Sequence, residues 1–357
     1  MSTTATFRAP QRYVQGRNVL ESAAPQFADV DADAALVAGG ETALSVVESD
    51  LFSALEKVGI RAETEAGVET CTDERVSDLV SQIERLDADV AIGVGGGTAI
   101  DAVKAAASRT GVAFVSVPTV ASTDAPASSI AVLYDDEGRT AGIEVLDRPP
   151  ELVLVETDRL AAAPPSYLRY GLGDALSTRF EAAACAEANG RTLDGSRPTD
   201  LGRAIARRTH GTVVQHGAAA IEDADAGEPT HSFDRAVEAV LLQSAVGFEN
   251  GGLAGAHAIE TGFRLAGVTD PPHGLVVGFG TLAQLHLEDA PASDSVANLL
   301  GELGLSTTLS VLKVDDSTLE TIASHACSGV TTMQNEPVEV TPDAVERALR
   351  SASADLE

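Results

Sequence analysis

A chain of 357 residues with 54 acids against 24 bases, a net charge of −30, repels nucleic-acid backbones and anionic membrane surfaces. At 44% hydrophobic content it can build a core for two domains of roughly 150 residues each, and no run approaches the ~18 apolar residues of a membrane helix. The first sixteen residues lack the apolar block of a secretion signal, and Cys71, Cys185 and Cys327 fit no metal or redox spacing, so the sequence reads as a soluble cytoplasmic protein.

Short apolar runs alternate with helical segments through the first half. Residues 34–38 read as a strand and 43–58 as the helix after it. A second helix at 76–86 precedes the strand 89–94, and a third follows the glycines at 95–97 and leads to the strand 113–117. That alternation predicts a parallel, Rossmann-like sheet with helices on both faces. Segments 130–134 and 140–145, joined by Asp135 to Gly138, read as a β-hairpin added to the sheet, and 151–155 closes the strand series. From Pro164-Pro165 onward the pattern is helical, at 174–188, 199–221, 233–248, 253–265 and 274–287, with Thr341 capping a last helix that has Pro342 in its first turn. The expectation is an α/β domain over residues 1–162 and an all-α domain over 163–357.

Three sequence features carry chemistry. Gly95, Gly96 and Gly97 turn a strand into a helix, where bare N–H groups and the helix dipole favour an anion such as a pyrophosphate. Thr98 is placed to cap that helix, and Asp101 and Lys104 share one of its faces. This is neither a G-x-G-x-x-G fingerprint nor a P-loop, and a purely structural turn accounts for it equally. The loop 117–128 is rich in hydroxyls and leaves the carboxyl end of a strand, the side on which open α/β sheets bind ligands. Third, Asp174 follows Gly171 and Gly173 at an expected helix start, His257 lies on a small-residue helix, and His273 comes after Pro271-Pro272. Two imidazoles and a carboxylate would leave open positions on Zn²⁺ or Fe²⁺, as a catalytic site requires. They lie 83 and 16 residues apart, a spacing that a capping Asp and two core histidines satisfy as well. Glu181 and Glu249 read as structural helix residues. No nucleophile elbow or H-E-x-x-H motif competes.

Together these segments resemble the glycerol dehydrogenases of the iron-type alcohol dehydrogenase family. Gly95-Gly-Gly-Thr-Ala-Ile-Asp101-Ala-Val-Lys104 is similar to the family's G-G-G-x-x-x-D-x-x-K signature, and Pro118-Thr-Val-Ala-Ser-Thr-Asp-Ala-Pro126 to the loop of its glycerol branch. Tyr13-Val-Gln-Gly16, Gly171-Leu-Gly-Asp174, Gly247 to Leu253, His257-Ala-Ile and His273-Gly follow in order, so the similarity runs from about residue 10 to 290. The resemblance implies metal ligation by Asp174, His257 and His273, with Zn²⁺ or Fe²⁺ as the ion. It implies NAD or NADP contacts at Gly96, Gly97, Thr98, Asp101, Thr119, Ser122, Ser128, Ile130 and Tyr134, and a hydrogen bond from the polyol to Asp124. The implied reaction takes glycerol or a similar vicinal diol to the ketone, with hydride passed to the nicotinamide, in a homo-oligomer that in the family is an octamer.

Departures from the family pattern cluster near the metal helices: Arg179 replaces an aromatic residue, Leu275 and Val276 replace a charged pair, and Glu260-Thr261 replaces His-Asn. Three rivals remain at this stage: a glycerol-1-phosphate dehydrogenase, a dehydroquinate-synthase-like lyase, and a catalytically silent metal- or nucleotide-binding protein. Acid excess, only three lysines, no Trp and 4% aromatic residues look like adaptation to concentrated salt, where a Debye length of about 3 Å silences carboxylate repulsion.

Overall fold

The computed structural model describes residues 4–328 and 332–357. Its first half is a six-stranded sheet in the order β1-β8-β5-β4-β2-β3, every neighbouring pair parallel. The strands are β1 (Tyr13–Gly16), β2 (Ala34–Gly39), β3 (Arg61–Glu65), β4 (Val90–Gly95), β5 (Ala113–Pro118) and β8 (Leu152–Glu156). β2 and β4 are buried at every position, which is why they read as continuous apolar runs rather than alternating ones. β1 and β3 form the two edges. The β3 segment Arg-Ala-Glu-Thr-Glu is polar and largely exposed, so apolar periodicity gave no sign of it.

Helices α1 (Ala24–Phe27) and α2 (Glu41–Lys57) cover one face of the sheet, and α3 (Asp73–Leu86) and α4 (Gly97–Thr110) the other. The expected hairpin forms from β6 (Ile130–Tyr134) and β7 (Thr140–Val145), but as a separate two-stranded ribbon rather than an extension of the main sheet. Its backbone is spent elsewhere: Tyr134 N–H donates to the Cys71 carbonyl, and Leu146 N–H to that of Ser129. β8 is the last strand of the described chain, as expected, and it inserts between β1 and β5.

Beyond β8 the described residues contain helices only: α5 (Thr157–Ala161), α6 (Pro165–Glu187), α7 (Asp200–Ala226), α8 (His231–Glu238), α9 (Ala245–Gly251), α10 (Gly255–Leu265), α11 (His273–Leu287), α12 (Ser293–Glu302), α13 (Asp316–Cys327) and α14 (Pro342–Asp355). Thr199 and Thr341 cap α7 and α14 through their hydroxyls, accepting from Gly202 and Ala344. A π-helical stretch, Ala239–Ser244, joins α8 to α9. The helical core reaches down to Val153 and Val155 of β8 and to Ile130, so one apolar cluster seats both halves of the chain. No described helix is long and apolar enough to cross a membrane.

Two local expectations need correcting. Asp174 does not open a helix; it lies well inside α6, which begins at Pro165. The flanking glycines serve close packing instead, since a Cβ on Gly173 would strike the backbone carbonyl of Gly274. Nor does Thr98 cap α4: Gly96 is the N-cap, without a side-chain bond, and Thr98 lies in the first turn.

Candidate active site and metal centre

β2 and β4 are adjacent although β3 separates them in sequence, so the chain reverses direction across the sheet between them. Open α/β sheets bind ligands at such a switch, beyond the carboxyl ends of the strands. The glycine turn sits there. Gly95 has φ +139°, a conformation that favours glycine, and Gly97 lies so close to Thr123 that a Cβ would come within 2.7 Å of its hydroxyl oxygen. Thr119 N–H donates to the Gly95 carbonyl, which fastens the polar loop to the turn.

A cavity of 840 Å³ opens from this turn to the helical half. Gly97, Thr98, Asp101, Ser122, Asp124 and Tyr134 line the sheet side, while Tyr170, Arg264, His273 and Gly274 line the other. Of the residues expected to touch a nicotinamide nucleotide, Gly96, Thr119, Ser128 and Ile130 are not among those lining the cavity. Ser128 Oγ and the Ile130 carbonyl accept hydrogen bonds from Lys104 Nζ, which is fully buried and paired with Asp101 Oδ1 at 2.9 Å. Asp101 Oδ2 also accepts from Val132 N–H. The Asp101–Lys104 pair therefore staples the hairpin to α4.

At the helical end three side chains converge from three helices. Asp174 Oδ1, on α6, is 3.4 Å from His257 Nε2 on α10 and 3.4 Å from His273 Nε2 at the start of α11. Two donors each about 2.1 Å from one ion at the tetrahedral angle stand about 3.4 Å apart. Both Asp174 oxygens are buried and neither has a hydrogen-bond partner, an arrangement that is costly unless a cation completes it. Burial would raise the Asp174 carboxyl, but His273 and His257 hold it well below the usual range.

Each imidazole is oriented from behind by a carboxylate. Glu181 Oε2 lies 2.7 Å from His257 Nδ1, and Glu260 Oε1 lies 3.0 Å from His273 Nδ1. These bonds turn both Nε2 atoms toward Asp174, the arrangement by which metal-site histidines are fixed and made more basic. Glu260 in turn accepts from Arg264 Nε at 2.8 Å. Burial alone would raise its carboxyl, but His273 and Arg264 hold it at about 2. Glu181 sits mid-helix among buried residues and gave no sequence sign beyond its charge. Glu260 stood out only as a departure from the family pattern.

Asp124, the fourth carboxyl in this region, accepts from Ser244 Oγ at 2.7 Å. Ser244 ends the π-helical stretch, and such bulges often mark functional sites. Burial and the charge of Asp174 push the Asp124 carboxyl up to about 7. Glu249 holds the same loop further out, accepting from Ser129 N–H at 2.7 Å. The four carboxyls Asp124, Asp174, Glu181 and Glu260 thus gather round two imidazoles, a donor set and charge balance that fit a divalent cation.

The model of the iron-containing alcohol dehydrogenase family matches residues 10–157. A glycerol dehydrogenase from Thermotoga maritima is 36% identical over 99% of this chain and 97% of its own length. The chain belongs to the iron-containing alcohol dehydrogenase family. A glycolaldehyde reductase from Halobacterium salinarum is likewise 36% identical, over 98% of this chain and 97% of its own. The crystal structure of a family relative, the glycerol dehydrogenase of Schizosaccharomyces pombe, superposes with a TM-score of 0.95 at 29% identity, covering 99% and 92% of the two chains. The family assignment makes this chain an oxidoreductase, and its fold of a parallel sheet followed by helices is that of these relatives.

Proposed function

We propose that the chain oxidises glycerol or a similar vicinal diol with NAD⁺ or NADP⁺, using a divalent ion, Zn²⁺ before Fe²⁺, at Asp174, His257 and His273. The observation that carries this is the convergence of those three donors at a point where one of them, His273, lines a cavity whose other wall is the glycine turn. An ion bound there supplies Lewis-acid activation of the alcohol oxygen, and a nicotinamide nucleotide accepts the hydride.

The chain's own residues do the rest. Gly97 and the first N–H groups of α4 are positioned for the pyrophosphate. Asp124 faces the cavity and accepts a hydrogen bond from the hydroxyl beside the reacting carbon, which selects 1,2-oxygenated substrates. Ser244 fixes the Asp124 carboxyl, and Glu181 and Glu260 hold the two imidazoles. Both glycerol and glycolaldehyde carry oxygens on adjacent carbons, so one site serves alcohol oxidation and aldehyde reduction.

A phosphorylated substrate suits the cavity poorly. Its two arginines are already engaged: Arg264 with Glu260 and the Thr269 and Pro271 carbonyls, Arg75 with Glu65 and the Ala66 carbonyl. The test is NAD(P)⁺ reduction by glycerol in molar KCl, with and without a chelator, beside glycerol 1-phosphate and the reverse reaction on glycolaldehyde. Chelator-sensitive turnover of the unphosphorylated substrates supports the proposal; turnover of glycerol 1-phosphate alone overturns it.

A further inference from the structure

The loop leading into α10 is gripped by a segment far along the chain. Thr332 Oγ1 donates to the Ala254 carbonyl at 2.6 Å, Asn335 Nδ2 to the Leu253 carbonyl at 2.8 Å, and Gly255 N–H donates to Glu336 Oε1 at 2.7 Å. Three consecutive residues before His257 are therefore bonded to one short C-terminal stretch. The other donors of this turn are met as well: Ala254 and His257 N–H bond Glu181 Oε1 at 2.9 and 3.0 Å, and Ala256 N–H bonds Gln284 Oε1 at 3.0 Å. The first N–H groups of a helix have no intrahelical partner. Here all four, from 254 to 257, end on buried side chains of other elements.

Glu336 is 6% exposed, and a Cβ on residue 255 would come within 2.7 Å of its Oε1, so glycine there admits the carboxyl. Its other oxygen, Oε2, is buried and meets no donor. Burial, and then the charge of Glu288, push this carboxyl well above the usual carboxylate range. Glu288 accepts from Gln284 Nε2 at 2.7 Å, and Gln284 in turn holds Ala256 N–H. A network of Glu336, Glu288 and Gln284 thus spans the start of α10.

We propose that Glu336, with Thr332 and Asn335, is a positioning residue of the metal centre: the clasp fixes the first turn of α10 and thereby the direction in which His257 Nε2 faces Asp174. This rests on the metal-site reading of Asp174, His257 and His273. Glu336 is not among the residues lining the cavity, and it acts through Gly255.

The test titrates metal-free full-length protein with Zn²⁺ against a competing chelator, and measures binding of reduced nicotinamide nucleotide by its fluorescence. Glu336→Ala is expected to weaken zinc binding about 10- to 100-fold, the usual cost of losing support behind a ligand, and to leave nucleotide binding unchanged. Glu336→Gln keeps an acceptor and a donor and restores wild-type zinc affinity. Thr332→Val, which removes one clasp bond and keeps the side-chain shape, shows the same selective loss in smaller measure. Wild-type zinc affinity in Glu336→Ala or in Thr332→Val overturns the proposal. So does Glu336→Gln as weak as the alanine variant, or parallel loss of zinc and nucleotide binding. A wild-type protein that binds no zinc fails at the earlier step, the metal-site reading itself.

Discussion

In the α/β half, the groups that face the cavity are neighbours in the chain: Gly97, Thr98 and Asp101 share one helix start, and Ser122 to Asp124 follow the next strand. In the helical half, Asp174, His257 and His273 arrive from α6, α10 and α11, and their distances depend on how three helices pack. The nucleotide wall is local backbone geometry, whereas the metal wall is tertiary structure. Glycine shows the contrast: Gly95 serves a backbone angle, while Gly173 serves the approach of α6 to α11. Phe263 and Phe279 meet edge-to-face with centroids 6.3 Å apart, adding roughly 1 kcal/mol to the α10–α11 contact beyond their burial.

The most forceful way to separate the two walls is His257→Ala. Removing a ligand should abolish turnover and cut zinc affinity by more than the ~100-fold expected for an outer residue, with nucleotide binding retained. Metal analysis showing full occupancy in that variant would refute the ligand assignment. Glu181→Gln and Glu260→Gln probe the layer behind. Each should lower zinc affinity by about 10- to 100-fold. If Glu260→Gln binds zinc as tightly as wild type, the carboxylate behind His273 is not what orients it.

The same contrast decides what was legible in the sequence. β2, β4, β5 and the glycine turn were readable because each is a local pattern, and so was the cap Thr341. The three proposed ligands were nameable from their resemblance to a family, not from their spacing. Glu181 reads as structural because a buried mid-helix Glu looks the same in sequence whether or not a histidine stands opposite. Thr332, Asn335 and Glu336 lie beyond about residue 290, where the motifs that signal the family end. Asp174 reads as a helix start because its glycines suggest a turn, whereas the carbonyls that explain them are distant in the chain, Ala121 against Gly171 and Gly274 against Gly173.

Protonation gives a further handle on the metal wall. Burial alone would lower His273, but Glu260 and then Asp174 push it up to about 10 in the metal-free protein. Its folded value lies above the ordinary value of about 6.5, so its contribution to stability is complete below about pH 6.5. That contribution is lost as pH rises through 10. Metal needs the neutral imidazole, so zinc affinity should climb across the same window as protons are released. Calorimetric melting of the metal-free protein between pH 6 and 10 checks the first expectation, and proton release on zinc addition the second. A metal-free midpoint that rises with pH would contradict both.

Charge repulsion acts on both halves alike. We propose that the net charge of −30 reflects adaptation to salt, so that the thermal midpoint rises from low to molar KCl as the Debye length shrinks to about 3 Å. A midpoint that is flat or falls over that range argues against it. The effect should be common to wild type and His257→Ala, which distinguishes it from loss of the metal.

The smallest effect concerns the far end of the nucleotide wall, where β2 ends at Gly39 and α2 begins at Glu41. In dinucleotide-binding folds an acid near this point bonds the ribose 2′-hydroxyl and repels a 2′-phosphate. Gly40 is the N-cap of α2, with an ordinary extended backbone at φ −67° and ψ 148°. A Cβ added there meets only the Val68 carbonyl, at 3.9 Å, whereas Gly39 is pressed against the Val94 carbonyl. A side chain therefore fits at 40 and not at 39. With glycine at 40, no carboxylate projects from that position to oppose a 2′-phosphate, and we propose that the enzyme accepts both NAD⁺ and NADP⁺. Gly40→Asp places an acid there without backbone strain and adds an N-cap carboxylate to α2, so the fold should be no less stable. Its expected effect is a loss of about tenfold in kcat/KM for NADP⁺ from like-charge juxtaposition, with NAD⁺ little changed. If wild type already ignores NADP⁺, Glu41 guards the ribose from the first turn of α2, and Glu41→Gln is then the variant that should admit the second cofactor.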